Sequence, residues 1–233
     1  MLNKTYTSEN SEYLSKNPDW HVSDSPWKAI QVQKIIDRNR LDFTNIAEIG
    51  CGAGEILNQL ATIYKSESLE YIGYEISPDA FKLCLKRQKK NLTFFNDNLL
   101  ETHEFYDILL VMDVFEHVDD YIGFIRQCAK KADFKIYHIP LDISVLGVMR
   151  DVPLSARKSV NHIHYFTKDT AIATLVDSGQ KIIDFFYTPV MIEVHNKKIS
   201  TKMLNLIRRF CFMINPDFCV KYLGGYSLLV LTK

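Results

Sequence analysis

The stretch IAEIGCGAGEIL, residues 46–57, decides the fold of this chain. An apolar run of strand length is followed at once by three closely spaced glycines and then by the start of an amphipathic helical pattern. Gly50, Gly52 and Gly54 permit a tight turn, and they let a ligand approach the backbone without interference from Cβ atoms. Because ligands of open parallel sheets bind beyond the carboxyl ends of the strands, this turn predicts a binding site.

On either side of this stretch, short apolar runs alternate with longer amphipathic ones. Runs of strand length, rich in Ile, Val, Phe and Tyr, occur at 46–50, 70–76, 92–97, 106–113 and 134–140. Helical periodicity between them predicts helices at 55–64, after Pro78 and at 121–131. This alternation is typical of right-handed crossovers in a parallel sheet that is covered by helices on both faces.

The pattern changes after Pro140. Residues 141–166 show no regular periodicity, so we expect an irregular segment there. A helix is predicted at 167–177, with Thr167 as its N-cap. The two halves of the chain therefore differ in regularity.

Two further strands are predicted near the end of the chain, at 180–191 and 226–233. Joined by a long excursion, they could pair as an antiparallel edge of the sheet. The insertion between them, 192–222, contains MLNLIRRFCFMI. We expect this segment to form a helix that covers the core; a wall of the substrate pocket, a dimer face and a surface in contact with a membrane-linked substrate are the alternatives.

Length and composition limit the class of protein. A chain of 233 residues favours one domain, and its 28 Lys+Arg balance its 28 Asp+Glu, so no net charge draws it to nucleic acid. Its five cysteines form no C-x-x-C pair, which argues against a disulfide framework and a structural zinc site. Because no signal peptide or membrane-spanning run is evident, we expect a cytoplasmic protein without integral membrane association.

Acidic residues follow the second and third predicted strands. Glu75, 21 residues beyond Gly54, stands where a carboxylate can accept hydrogen bonds from two ribose hydroxyls. Asp97 ends the third strand and is followed by Asn98 and Leu99, so its carboxylate could accept a hydrogen bond from the amino group of adenine. Three consecutive strand ends thus predict a nucleoside ligand.

The spacing of the glycines differs from that of a dinucleotide site. The motif G-x-G-x-x-G requires its third glycine at position 55, where this chain has Glu55. A carboxylate beside a helix N-terminus would repel a pyrophosphate, so the turn, preceded by Glu48, favours a ligand without a diphosphate. A nicotinamide-dependent oxidoreductase is therefore disfavoured, and a noncatalytic nucleoside-binding module remains a further alternative.

Four segments in this order resemble class I S-adenosylmethionine-dependent methyltransferases: IAEIGCGAGEIL, YIGYEIS, FFNDNLL and DILLVMDVFEHV. The resemblance covers about 46–118. It implies an α/β fold with a Rossmann-like, seven-stranded, mostly parallel sheet, helices on both faces and an antiparallel last strand. It also implies S-adenosylmethionine as cofactor and S-adenosylhomocysteine as product.

The same resemblance implies an organisation for the chain and a set of cofactor contacts. A single methyltransferase domain, 1–233, would comprise an N-terminal lid or helical segment (1–44), a cofactor-binding half (45–140) and a substrate-side half (141–233). The methionine part would lie near the glycine turn, the ribose on the second-strand acid and the adenine near the third-strand acid. The implied contacts are Glu48, Gly50, Cys51, Gly52, Gly54, Glu75, Ile76, Asp97, Asn98, Leu99 and Asp113.

Two further similarities concern the acceptor. VFEHV and NHIHYFT are similar to the subgroup that methylates small molecules, including quinone precursors and sugars, and YLSKNPDWHVSDSPWKAIQVQKI is more loosely similar to methyltransferases of bacterial surface-polysaccharide synthesis. We therefore expect O-methylation of a small polar acceptor such as a sugar or glycan precursor, with N- or C-methylation of another metabolite as the alternative. The absence of an N-P-P-Y-type segment at Asp113 argues against a nucleic-acid acceptor. The sequence also permits a homodimer.

The candidate catalytic residues are Asp113, His117, His162 and His164. A hydroxyl acceptor must lose its proton, and a nearby base helps. His162 and His164 lie two residues apart, so in an extended chain they would point to the same side. With no matching carboxylate spacing beside this pair, we expect no metal site.

The remaining candidates lie near the start of the chain and in the fifth strand. Trp20, His21 and Trp27 could close as a lid over cofactor or substrate, or belong to a helix packed on the edge of the sheet. His138 is expected to lie inside the fifth strand, hydrogen-bonded to a neighbour.

Overall fold

A computed structural model of the chain describes residues 22–194 and 199–233. The strands in these ranges are β1 (Asn45–Ile49), β2 (Glu70–Tyr74), β3 (Leu92–Phe95), β4 (Tyr106–Met112), β5 (Ala132–Pro140), β6 (Ile182–Thr188) and β7 (Ser227–Thr232). The helices are α1 (Ser25–Asn39), α2 (Glu55–Tyr64), α3 (Pro78–Cys84), α4 (Tyr121–Cys128), α5 (Val145–Met149), α6 (Val152–Val160), α7 (Lys168–Asp177), α8 (Val190–Glu193), α9 (Ile199–Ile214) and α10 (Pro216–Leu223).

The strands form one sheet in the order β3-β2-β1-β4-β5-β7-β6. Strands β1 to β5 pair in parallel, whereas β7 runs antiparallel between β5 and β6. The predicted Rossmann-like sheet with an antiparallel last strand is confirmed. Because Ile49 pairs with both Tyr74 and Val111, the carboxyl ends of β1, β2 and β4 meet at one edge of the sheet. Strand order reverses between β1 and β4, which is where a ligand is expected.

Alternate residues of each strand contribute to two cores on opposite faces of the sheet. On one face, Ile46 and Leu110 pack with buried residues of α1, α2 and α3. On the other face, Ala47 and Val111 pack with buried residues of α4, α7 and α10. This period of two, with both sets apolar, explains why the central strands appear in the sequence as continuous hydrophobic runs.

The prediction of an irregular segment at 141–166 is wrong, because α5 and α6 lie within it. Helix α6 contains no buried residue, so its sequence has no inward-facing apolar stripe that would reveal it. In contrast, α2 was predicted with its observed bounds, and Thr167 caps α7 as expected, accepting a hydrogen bond from the backbone N–H of Thr170. Periodicity found four of the helices that contribute to the core, namely α2, α3, α4 and α7.

The expectation that the insertion covers the core holds for only one face of α9. Phe212 packs against the core, whereas Leu206, Phe210 and Met213 are 72%, 67% and 83% exposed. The apolar residues of this helix occupy more of its circumference than the sheet can cover. Within the described ranges, no helix is both long and apolar enough to cross a membrane.

Candidate active site

The glycine turn after β1 adopts a backbone that side chains rarely allow. All three of its glycines have positive φ, and at Gly54 the angle is +75°. A Cβ atom on Gly54 would also lie 2.4 Å from the ring of the buried Phe94. Gly54 therefore must be glycine both for its backbone angle and for the close approach of Phe94. The turn is held to β2 by hydrogen bonds from the N–H groups of Gly50 and Cys51 to the carbonyl of Tyr74, at 2.9 and 3.1 Å.

The structure brings Glu75 to this turn. The Oε2 atom of Glu75 accepts a hydrogen bond from the N–H of Gly52 at 2.8 Å, and Oε1 accepts one from the N–H of Ser77 at 2.7 Å. Burial raises the pKa of Glu75 to about 7, although these backbone hydrogen bonds oppose the rise. Each oxygen keeps a second lone pair with which it can accept a further hydrogen bond.

A cavity of about 970 Å³ opens at this edge of the sheet. It reaches from the glycine turn to the segments that follow β4 and β5. Ten of the predicted site residues line it: Glu48, Gly50, Cys51, Gly52, Glu75, Ile76, Asn98, Asp113, His117 and His162. The strand-end rule therefore located the part of the wall around the glycine turn and Glu75.

Three predicted cofactor contacts do not line the cavity. The side chain of Leu99 is fully buried in the core, so only its backbone could reach a ligand. Gly54 lies beneath Phe94. Asp97 is exposed, and its Oδ1 accepts a hydrogen bond from the N–H of Asn98 at 2.7 Å.

The two histidines predicted to point to the same side, His162 and His164, contact different groups. The Nδ1 atom of His162 lies 2.6 Å from Oδ2 of Asp142, and His162 lines the cavity. His164 does not line it: its Nε2–H donates to the carbonyl of Val118 at 3.0 Å and its ring packs on Tyr121. The prediction fails because 162–164 is not a regular extended strand: the N–H groups of the consecutive residues Ile163 and His164 both donate to the carbonyl of Glu116.

The start of α1 reaches the cavity through residues other than those predicted. Trp20 and His21 lie outside the described residues. Trp27 donates a hydrogen bond from Nε1 to Oε2 of Glu193 at 2.7 Å and does not line the cavity. The next residue, Lys28, does line it.

Asp113 sits between two nitrogen atoms at the centre of the cavity wall. Its Oδ2 lies 2.7 Å from Nζ of Lys28, and its Oδ1 lies 2.6 Å from Nδ1 of His138. Burial opposes ionisation of this carboxyl, but His138 and Lys28 together hold its pKa well below the usual range. Asp113 therefore stays ionised and is a poor base. His138 lies in β5 and is hydrogen-bonded, as predicted, and its Nε2 lies 2.9 Å from Oγ1 of Thr188.

Glu116, His117 and His162 form a second cluster beside Asp113. Glu116 is 1% exposed, and neither of its carboxylate oxygens accepts a hydrogen bond from another described residue. Burial raises the pKa of Glu116 to about 8, and the charge of Asp113 adds to the rise. Burial opposes the charge of His162, but its hydrogen bond with Asp142 and the charge of Glu116 raise its pKa.

Comparison with known proteins assigns part of the chain. Residues 47–132 match the family described as a methyltransferase domain. This match covers β1 to the start of β5 and includes the glycine turn, Glu75 and Asp113. The comparison with curated proteins returns no match.

Solved structures resemble the chain well beyond residues 47–132. The structure of magnesium protoporphyrin IX methyltransferase (ChlM) from Synechocystis PCC 6803 with bound S-adenosylhomocysteine is 17% identical, with a TM-score of 0.59, over 98% of this chain and 90% of that one. The structure of the N-methyltransferase NodS from Bradyrhizobium japonicum WM9 with S-adenosylhomocysteine is 14% identical, with a TM-score of 0.55, over 99% and 95%. The predicted fold and the predicted class of enzyme, a methyltransferase, are confirmed.

Lys28, His138 and Asp142 line the cavity but were not predicted as site residues. Asp142 lies two residues after β5, so the strand-end rule that found Glu75 would also have found it. His138 lies in the fifth strand. Its contact with Asp113 becomes visible only once β4 is known to pair with β5. Lys28 precedes the first strand, and its approach to Asp113 depends on how α1 packs.

Proposed function

We propose that the protein is an S-adenosylmethionine-dependent methyltransferase that methylates an oxygen of a small polar acceptor, such as a sugar or glycan precursor. One observation carries the proposal: a single cavity joins the glycine turn and Glu75 to Asp142 and His162 beyond β5. The region of the glycine turn and Glu75 suits an adenosyl ligand, and the region of Asp142 and His162 offers polar groups to an acceptor. At about 970 Å³, the cavity is at the upper end of ligand sites, which span about 300–1,000 Å³.

The residues of the cavity fit the cofactor. Gly50 and Gly52 of the glycine turn border the cavity, where the methionine part can approach their backbone, and the remaining lone pairs of Glu75 can accept hydrogen bonds from ribose hydroxyls. Ile76, Leu100 and Phe124 supply apolar lining suited to adenine. When bound, S-adenosylmethionine supplies an electrophilic methyl group on a positively charged sulfonium. The carboxylates of the wall, with Asp113 held ionised, favour that charge.

The chain contributes alignment, exclusion of water and handling of the acceptor's proton. Methyl transfer is a displacement in line with the breaking bond, so much of the rate comes from holding the acceptor in position. His162 is oriented by Asp142, since a carboxylate accepts the Nδ1–H and leaves the lone pair of the neutral ring on Nε2. That atom can receive a proton or coordinate a cation. Asp113 fixes Lys28 and His138, and we assign it a positioning role.

An amine acceptor is the second candidate. The lining of the cavity contains more acidic than basic side chains, which would attract a cationic amine. NodS, to which the chain is similar, is an N-methyltransferase. An amine needs only to be unprotonated, so His162 would matter less for nitrogen than for oxygen.

Calorimetry and methyl-transfer assays test the proposal. We expect the protein to bind S-adenosylmethionine and S-adenosylhomocysteine but not NAD, and to methylate hydroxylated acceptors rather than amines in a panel. Glu75→Ala should weaken cofactor binding at least tenfold. His162→Ala should leave cofactor binding unchanged and lower turnover about 100-fold or more, the typical contribution of a positioned proton acceptor.

His103→Ala is the control, because His103 is exposed and lies outside the cavity. Binding of NAD instead of S-adenosylmethionine would indicate an oxidoreductase. Cofactor binding without transfer to any acceptor would favour the noncatalytic module. The surface-polysaccharide association, the homodimer, the cytoplasmic location and the single domain spanning 1–233 stay predictions from the sequence.

A further inference from the structure

The cluster of Glu116, His117 and His162 has the composition of a metal site. One ligand atom from each residue lies within 4.8 Å of the others. We propose that these residues bind a divalent first-row transition metal ion, and that the ion's open coordination position holds the acceptor's oxygen. The binding of the metal ion is independent of the reaction, whereas its role in holding the acceptor's oxygen rests on the proposed function.

The carboxylate of Glu116 is the first support. It is almost completely buried, yet no other described residue donates a hydrogen bond to either oxygen. Its ion-pair partner among the described residues, Nε2 of His162, is 3.9 Å from Oε1, too far for a hydrogen bond. A buried carboxylate without partners is unfavourable unless it is protonated or a cation compensates it.

The orientation of the two imidazoles is the second support. Nδ1 of His162 lies 2.6 Å from Oδ2 of Asp142, and Nδ1 of His117 lies 3.1 Å from the carbonyl of Asn161. Carboxylate and carbonyl oxygens only accept, so in each neutral ring Nδ1 carries the hydrogen and Nε2 carries the lone pair. Metal-bound histidines are oriented in this way by a carboxylate or a backbone carbonyl.

The donor set indicates which metals fit. Two imidazoles and one carboxylate suit Zn²⁺, Fe²⁺, Co²⁺ or Mn²⁺ better than Mg²⁺ or Ca²⁺, which prefer oxygen ligands alone. Ligand atoms of one tetrahedral zinc ion lie about 3.4 Å apart, so small side-chain rotations would close the present spacing. His117 and His162 line the cavity, as does Asp142. Three protein ligands with a cavity-facing open position are typical of catalytic rather than structural sites.

Such an ion would replace a protein base in the reaction. Coordination lowers the pKa of a bound hydroxyl, so its proton leaves to solvent water at neutral pH. A lone pair of the oxygen then forms the new O–CH₃ bond while the C–S bond breaks and its electron pair returns to sulfur. The products are the methyl ether and S-adenosylhomocysteine.

Metal titration of the untagged, chelator-treated protein tests the site. We expect wild type to bind one Co²⁺ per chain, followed by visible absorption, and one Zn²⁺ by calorimetry. Glu116→Gln should weaken binding at least tenfold. Asp142→Asn, which changes only the orienting partner of His162, should weaken it about 10- to 100-fold. His103→Gln, which removes an exposed histidine, should bind as wild type does.

Unfolding measurements separate a metal ligand from a structural residue. Without metal, Glu116→Gln should be as stable as wild type or more stable, because the amide removes a buried acid that lacks partners. Added Zn²⁺ should then stabilise wild type but not the variant. Equal metal affinity of wild type and Glu116→Gln, or no stoichiometric binding by wild type, overturns the proposal.

Different experimental results would overturn the metal-site proposal and the proposed function. If metal-free protein does not bind S-adenosylmethionine, the methyltransferase proposal is wrong while the metal titration still decides the site. If cofactor binds and methyl transfer continues undiminished after chelation, the ion's role in holding the acceptor is overturned. Loss of transfer on chelation and its return with Zn²⁺, Mn²⁺ or Fe²⁺ supports both.

Discussion

Glu75 combines two requirements that oppose each other. Its carboxylate must lie at the glycine turn to receive the N–H of Gly52, and this places it where only 5% of its surface is exposed. Burial penalises the charged form more than the backbone hydrogen bonds favour it, so its pKa rises to about 7. The position that suits a ribose acceptor is therefore costly to the unliganded fold at high pH.

The effect of pH on stability should reveal this cost. The folded pKa of Glu75 is above its unfolded value, near 4.5, so its favourable contribution is complete below pH 4.5 and is lost as pH rises through about 7. A shift of this size corresponds to about 3 kcal/mol. Urea unfolding of ligand-free protein from pH 5 to pH 8 should therefore show a shallower loss of stability in Glu75→Gln than in wild type.

Glu104→Gln is the matched control, since it removes an exposed carboxylate. Its slope should follow that of wild type. Parallel curves for wild type and Glu75→Gln would show that Glu75 ionises in the fold as readily as in the unfolded chain.

The sequence alone revealed those site residues whose role can be predicted from their neighbours in the chain. Gly50 and Glu75 each mark a strand end, so neighbouring residues suffice to interpret them. Glu116 and His162 are 46 positions apart, and they meet only because the segment after β5 folds back so that the N–H groups of Ile163 and His164 donate to the carbonyl of Glu116. No metal site was expected from the sequence because His162 was considered together with His164. In the structure, the histidine beside His162 is His117.

Helix α9 has two faces with different environments. Its Phe212 stacks on Tyr226 with ring centroids 4.7 Å apart, and both pack against the core. On the opposite side, Phe210 and Met213 face solvent. The two phenylalanines belong to one helix and lie two residues apart, so a comparison between them isolates the effect of burial.

Phe212→Ala should lower the free energy of unfolding by about 2 kcal/mol, somewhat less than a fully buried phenylalanine because its ring is only partly covered. Phe210→Ala should change it by less than about 0.5 kcal/mol. Both substitutions remove the same atoms from the same helix, so they change its intrinsic helix propensity equally. Denaturant titration measures both values, and similar losses in the two variants would mean that the outer face of α9 is also covered in solution.

Burial explains why α2 was predictable from the sequence and α6 was not. Helix α2 buries Ile56, Leu57, Leu60 and Ala61, and this stripe is visible in the sequence. Helix α6 buries none of its residues, so its helical state leaves no apolar period to detect. It nevertheless contributes Ser155 and Ser159 to the wall of the cavity. The substrate side was therefore less predictable than the cofactor side for a physical reason.

The cavity is a property of the whole molecule, because the beginning, the middle and the end of the described chain all contribute to its wall. The start of α1 contributes Lys28, the sheet contributes Glu75 and Asp113, and the late segments contribute Met191 and Arg208. A ligand that bridges these parts must order them together. Binding should therefore be visible both in global stability and in the local protection of the first turns of α1.

Adding S-adenosylhomocysteine at 100 times its Kd should stabilise the protein by about 2.7 kcal/mol, provided that it binds only the folded chain. For a chain of 233 residues this corresponds to a rise in Tm of about 5–10 °C. Hydrogen exchange should slow at the amides of 25–30, next to Lys28, more than in α7, none of whose residues line the cavity. Equal slowing in both segments would mean that the ligand stabilises the fold as a whole without closing α1 over the site, because a contact at Lys28 must suppress local opening there first.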